Sequence, residues 1–206
     1  MAFLPTTRSP SDKGSACTLS NGNLTGSSPA ENGTVRSTFG ASNGKWYWEI
    51  KTTSTAYSPG IRVGTASATL TNYPGSSSGG WAWFGNEGKK YTAGVGVAYG
   101  TVGSIAAVTI GVALDMDAGT VTLYHNGVSL GVMYSGLTGT VYALCGGSAT
   151  LKSDFTANFG ATAFDYTPPA GYTTGFGVVS TNISGTASAT VSVASGASGH
   201  SSVVGS

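Results

Sequence analysis

Several groups of residues in this chain have the type and spacing to suggest chemistry. Gly75-Ser-Ser-Ser-Gly79 has the G-x-S-x-G spacing of a nucleophile elbow. That motif exposes a serine hydroxyl on a strand-to-helix turn and needs an acid and a histidine further along the chain. No helix is expected after Ser77, His125 borders a hairpin turn and His200 lies near the C-terminus, so the segment reads as a Gly/Ser loop. Asp115-Met-Asp117-Ala-Gly119 opens like a calcium loop. Position twelve counted from Asp115 is Asn126, where a bidentate Glu is required, and no helices frame it. A polar β-turn in which Asp117 accepts bonds from nearby backbone amides fits better. Gly94 and Gly96 begin a dinucleotide fingerprint, but the third glycine, Gly100, falls one place late. Glu31, Glu49 and Glu87 are scattered among only eight acidic residues, which leaves no carboxylate pair for glycoside hydrolysis. Cys17, Cys145, His125 and His200 match no zinc spacing. The expectation is a protein that is not an enzyme, with no catalytic residue, no metal and no cofactor.

The elements that carry these residues are strands. In Ile110–Gly131, Ile110, Val112 and Leu114 alternate with smaller residues. Val121 and Leu123 then share one face, with Thr120, Thr122 and Tyr124 on the other. Asn126-Gly127 separates that run from Val128, Leu130 and Val132. Asn-Gly between alternating runs signals a hairpin, because a type I′ turn needs φ > 0 at both central positions. No segment sustains a helical period. Further strands are expected at 17–19, 35–39, 45–52, 60–65, part of 91–99, 109–115, 120–125, 128–133, 141–144 and 156–159. Many short strands with turn signals between them mean a sandwich or a barrel. The sandwich is favoured, with Trp46, Trp48, Ile50, Val112, Leu114, Val121, Leu123, Leu144 and Phe159 between two antiparallel sheets.

Composition narrows the function. Charged residues are 8% of 206 and net charge is +1, against about a quarter charged in an average domain. Clustered Lys and Arg for phosphate binding are absent, which argues against nucleic acid and against a polybasic membrane contact. Charge this low suits a surface wetted by hydroxyls or covered by neighbours in an assembly. With 40% hydrophobic and 10% aromatic residues, the chain can form a core. Two cysteines are too few for a disulfide framework, and both are expected reduced, in or near the core. The first residues lack the apolar stretch of a signal peptide, and no run approaches the 18 apolar residues that span a bilayer. The sequons at Asn23, Asn32 and Asn182 read as chance in so Ser/Thr-rich a chain.

An ordered series of segments then resembles SPRY domains. It comprises Gly44-Lys-Trp-Tyr-Trp-Glu-Ile50, Gly80-Trp81 with Glu87-Gly-Lys-Lys-Tyr91, Ile110 to Asp115 with Gly119 to Val128, Tyr142-Ala-Leu144, Asn158-Phe-Gly160, and Phe164 with Pro168-Pro-Ala-Gly-Tyr172. It spans about residues 15 to 175. The resemblance implies an all-β fold, a bent antiparallel β-sandwich of the concanavalin-like jelly-roll kind, that recognises partners through loops and carries no shared catalytic residues. The LSNGNLTGSS opening and the NFG…PPAGY close look like the stand-alone SPRY proteins of bacteriophages, which are associated with virions. The expected organisation is an N-terminal arm (1–14), the sandwich (15–176) and a Ser/Ala/Val/Gly-rich tail (177–206).

Exposed loop aromatics make recognition anchors. Tyr57, Tyr73, Trp83 and Phe84 are the candidates for partner binding, whereas Trp81 and Tyr91 match family positions that pack inward. Val178, Val179, Ile183, Val191 and Val193 are candidates for a tail that adds to a neighbour's sheet edge. The expected role is a virion structural protein, assembled in the host cytoplasm, that decorates a phage head by docking on coat or other virion proteins in a homo- or hetero-oligomeric assembly. The alternative is a tail-fibre adhesin whose aromatic loops bind a host surface glycan.

Overall fold

The computed structural model describes residues 2–28, 33–52, 60–73, 75–100, 107–147 and 153–180. Among these residues there are strands and turns and no helix. The strands are β1 (Ala2–Pro5), β2 (Arg8–Lys13), β3 (Thr18–Ser20), β4 (Thr25–Ser28), β5 (Gly33–Ala41), β6 (Lys45–Thr52), β7 (Gly60–Gly64), β8 (Gly80–Phe84) and β9 (Lys89–Thr92). They continue as β10 (Val95–Ala98), β11 (Thr109–Asp115), β12 (Thr120–His125), β13 (Val128–Ser135), β14 (Val141–Gly147), β15 (Ser153–Asn158), β16 (Thr173–Thr174) and β17 (Gly177–Ser180). One sheet runs β10-β9-β8-β7-β14-β5-β2 and the other runs β13-β12-β11-β6-β15-β4-β3, with β16 beside β6. The sheets stack as an antiparallel sandwich, as the alternation implies.

The core follows from register. Trp46, Trp48 and Ile50 on β6 lie directly opposite Leu114, Val112 and Ile110 on β11. Leu114 and Val112 in turn oppose Val121 and Leu123 on β12. Directly paired residues share a face, so these form contiguous apolar rows facing Ile61, Val63, Ala143 and Cys145 of the other sheet. Burial of such rows is the main stabilising term, at about 25 cal/mol per Å² of apolar surface. Asn126 and Gly127 have φ of 48° and 78°, the signature of the expected type I′ turn. In the β11–β12 turn, Asp115 rather than Asp117 accepts from the amides of Asp117 and Ala118. Asp117 instead reaches across to accept from the Gly44 amide at 2.7 Å.

The N-terminal fourteen residues are not a separate arm. β1 pairs with β17, matching Leu4 with Val178 and Phe3 with Val179. β2 forms the edge of the seven-stranded sheet, and its Arg8 side chain is fully buried. The start of the expected tail is therefore a strand zipped to the chain's own N-terminus. Ile183, Val191 and Val193 lie outside the described residues.

Candidate functional site

The aromatic candidates divide by strand phase. Trp83 lies opposite Ile61 in the β7–β8 ladder and points into the core. It is 1% exposed, and its indole Nε1 donates to the Tyr99 carbonyl at 3.1 Å. Phe84, next along β8, points to the outer face, yet it too is buried. The Gly/Ser-rich segments 65–73 and 75–79 fold back over that face. Arg36 Nη2 donates to the carbonyls of Thr65, Ala66 and Ala68 at 3.3, 3.0 and 3.0 Å. The Arg62 guanidinium lies 5.9 Å from the Phe84 ring. Neither Trp83 nor Phe84 is open to a partner, contrary to the sequence expectation. Their phase on an unrecognised strand, and the loop above them, put them inside. Tyr57 lies outside the described residues.

Tyr73 stays half-buried at the rim of this cluster, edge-on to Phe84 and Tyr91 at 6.5 and 6.3 Å. Tyr91 is also half-buried, where inward packing was expected. Register places it beside Gly96 on the outer face, and a Cβ on Gly96 would fall 2.6 Å from its ring. Its hydroxyl donates to the Glu87 carboxylate, which together with partial burial pushes the phenol up to about 12. Trp81, as expected, packs against the core.

Beyond Tyr91 both sheets end together. β10 is the last strand of one sheet and β13 the last of the other. Val95 and Val97 on β10 are 61% and 53% exposed, and Val128 and Val132 on β13 are 69% and 53%. The two edges are tied by Tyr99 Oη donating to the Gly131 carbonyl (2.7 Å) and Lys90 Nζ to the Met133 carbonyl (2.6 Å). Val95–Ala98 contains no charge and no proline, the devices that normally blunt an open edge. The result is a pair of tied edge strands, each with exposed valines, termed the apolar rim.

A second surface feature lies on the outer face of the other sheet. β6 presents Tyr47, Glu49 and Lys51 there, since Trp46, Trp48 and Ile50 face inward. β15 pairs with β6 only from Thr52 to Glu49 and then departs, and β16 returns beside Trp46 and Tyr47. The connection from 159 to 172 crosses this face. Buried Glu49 holds it, accepting from the amides of Asp165 (2.8 Å) and Tyr166 (3.0 Å) and from Tyr47 Oη (3.2 Å). Burial and the Glu49 charge push the Tyr47 phenol well up. Asp165 bonds Lys51 (2.8 Å) and accepts from Thr109 Oγ1 (2.7 Å), and these partners hold its carboxyl below the usual range. Asn158 Nδ2 donates to the carbonyls of Thr162 and Ala163. The loop borders a shallow, open hollow of about 550 Å³, and a smaller one of about 160 Å³ adjoins it above Glu49 and Lys51.

The residues with catalytic or metal-binding spacing in the sequence do not converge in the fold. Ser77 Oγ accepts from the Thr69 amide within the loop over the seven-stranded sheet, whereas His125 ends β12 in the other sheet. Among the described residues no three His, Cys, Asp or Glu side chains are grouped to hold a metal. Cys17 and Cys145 are free thiols and buried. Burial pushes both up, Cys145 to about 11, so neither is an activated nucleophile. Two arginines are buried with them. Arg62 donates to Thr34 Oγ1 and the Gly146 carbonyl, and desolvation lowers it to about 9. Arg8 lies 4.6 Å from the Phe155 ring centre and 5.7 Å from that of Phe159. Sequence reading missed these arginines and the Glu49 anchor. Glu49 and Arg62 lie within apolar strand segments, which hints at burial but not at their partners, and the segment around Arg8 carries no such pattern.

The SPRY domain family matches residues 45–162, more than half of the chain. This chain belongs to the SPRY family. The SPRY fold is equally plain in solved structures. The SPRY domain of human HERC1 superposes with a TM-score of 0.63 at 14% identity, covering 73% of this chain and 96% of that one. The PSpry domain of TRIM65 gives 0.59 at 14% identity, covering 76% and 90%. Stonustoxin gives 0.61 at 19% identity over 75% of this chain, which spans 27% of the stonustoxin chain. No curated protein matches the chain. As a SPRY domain, the chain is of a kind that serves as a protein–protein interaction module.

Proposed function

We propose that this SPRY sandwich is a non-enzymatic assembly module of a bacteriophage particle, decorating its surface by docking on coat subunits or other virion proteins. The observation that carries the reading is the apolar rim. Val95 and Val97 are exposed on the edge strand of one sheet, and Val128 and Val132 on the edge strand of the other, on a chain with only 8% charged residues. An uncharged open edge favours strand pairing and apolar contact with a neighbour, and low charge lowers the barrier to close approach. Tyr73 and Tyr91 flank the same end and supply aromatic contact area. The segment from 181 onward, including Ile183, Val191 and Val193, carries no charged residue and adds a candidate strand for a neighbour's edge.

Mass spectrometry of purified particles tests the placement, and the chain is expected among their proteins. Val97→Lys is expected to abolish incorporation while leaving the isolated fold intact. Particles that lack the chain, or that incorporate the variant normally, would remove this reading.

A second reading, a host-glycan adhesin, is favoured by the half-exposed pair Tyr73 and Tyr91, since tyrosine rings are suited to stacking on sugars. Loss of glycan binding in Tyr73→Ala would support it.

A further inference from the structure

We propose that the shallow, open hollow along the 159–172 connection is a binding site for a neutral hexopyranose; this rests on the adhesin reading and gives it a site other than the aromatic cluster at Tyr73. The hollow is about 550 Å³, lined by Gly160, Thr162–Pro168 and Thr174, within the range of ordinary small-ligand sites. Three features define the ligand.

The first is rigidity. Both ends of the connection lie against β6, through β15 and β16. Its middle is fixed by the Asp165 and Tyr166 amides on buried Glu49. Phe164 is held edge-on against Tyr47 at 5.1 Å. A site held this way loses little conformational entropy when a ligand binds.

The second is the polar inventory. The Asp165 and Tyr166 amides already donate to Glu49, and the Thr162 and Ala163 carbonyls already accept from Asn158. Those four groups are already engaged within the protein. The hydroxyls of Thr162, Thr167 and Thr174 supply the polar contacts instead. They both donate and accept, as sugar hydroxyls do.

The third is the balance of charge and apolar surface. Asp165 carries the only charge in the lining, and it is matched by Lys51, so an ionic ligand finds no unmatched partner. Tyr166 packs against Gly127, where a Cβ would fall 2.5 Å from its ring, and remains 36% exposed. A ring buttressed on one side and open on the other, with Pro168 beside it, suits the CH face of a pyranose.

The test uses the full chain and three probes, the methyl glycosides of glucose, galactose and mannose, added to millimolar concentration while backbone amide resonances are followed. At least one is expected to shift the amides of 160–168 and Thr174. Tyr166→Ala should weaken that binding about tenfold, and Thr174→Val should weaken it too, with the remaining spectrum unchanged in both. Shifts confined to Tyr73, Tyr91 and their neighbours would overturn this site and leave the adhesin reading standing. No shift with any probe would overturn both. Binding undiminished in both variants would overturn the assignment of these residues.

Discussion

Replacing Glu49 with alanine should unfasten the 159–172 connection and measurably weaken the whole sandwich. Its carboxylate is 3% exposed and accepts three bonds, two of them short ones from the Asp165 and Tyr166 amides. A hydrogen bond to a charged acceptor contributes about 1.5–3 kcal/mol, and a donor left unsatisfied in a buried position costs a comparable amount. Against this stands the cost of burying the carboxylate itself, which alanine relieves. The net loss expected is about 3 kcal/mol. The neighbouring Lys51–Asp165 pair cannot compensate. Its side chains are 56% and 43% exposed, and such pairs contribute about 0–1 kcal/mol. For a chain of this size the loss corresponds to a fall in Tm of about 6–12 °C. Urea denaturation reads the global effect and amide exchange reads the local one, with Asp165 and Tyr166 expected to exchange much faster. Glu49→Gln keeps the volume and one acceptor oxygen and should fall between wild type and alanine. A Glu49→Ala protein with an unchanged midpoint and unchanged exchange at those two amides would refute the anchoring role.

Trp83→Ala should destabilise by about 3–5 kcal/mol, as large-to-small core changes do, whereas Tyr73→Ala at the half-buried rim should cost about 1 kcal/mol or less; denaturation midpoints of the two variants check the contrast. Cys17 and Cys145 should resist a thiol reagent at neutral pH and react only on unfolding. With Cys145 raised from an ordinary value of 9.0 to about 11, its thiolate fraction at pH 7 is about one in ten thousand. Folding raises this thiol's pKa, so its contribution to stability is intact below pH 9 and is lost as pH climbs towards 11. Denaturation at pH 8 and at pH 10.5 measures that difference.

Much of the sandwich was legible because its central ladder is written in local pattern. Lys45–Thr52, Thr109–Asp115 and Thr120–His125 carry bulky apolar residues at alternate positions, with Gly44, Gly119 and Asn126-Gly127 among the residues that punctuate them. β1 and β2 were not legible. Arg8-Ser-Pro-Ser-Asp-Lys13 has no apolar alternation, and it is a strand only because β5, far along the chain, offers an edge. β8 was hidden in a Gly/Ser-rich stretch, and with it the inward phase of Trp83 and the cover over Phe84. The Glu49 anchor was out of reach for a different reason. Its partners are backbone amides 116 and 117 residues away, and backbone groups leave no mark in side-chain type. Sequence distinguished strand from loop well, and covered face from open face poorly, because cover comes from non-local loops.

Hydrogen exchange at β10, compared between the isolated chain and the chain assembled on its particle, tests the interaction-module reading most directly. The amides of Gly96 and Ala98, which face away from β9 in this two-residue hairpin, are expected to be exchange-labile alone and strongly protected on assembly, with the inward rows of β6 and β11 protected in both. Protection that appears elsewhere on the sandwich while β10 stays labile would contradict the assignment of the apolar rim as the docking surface.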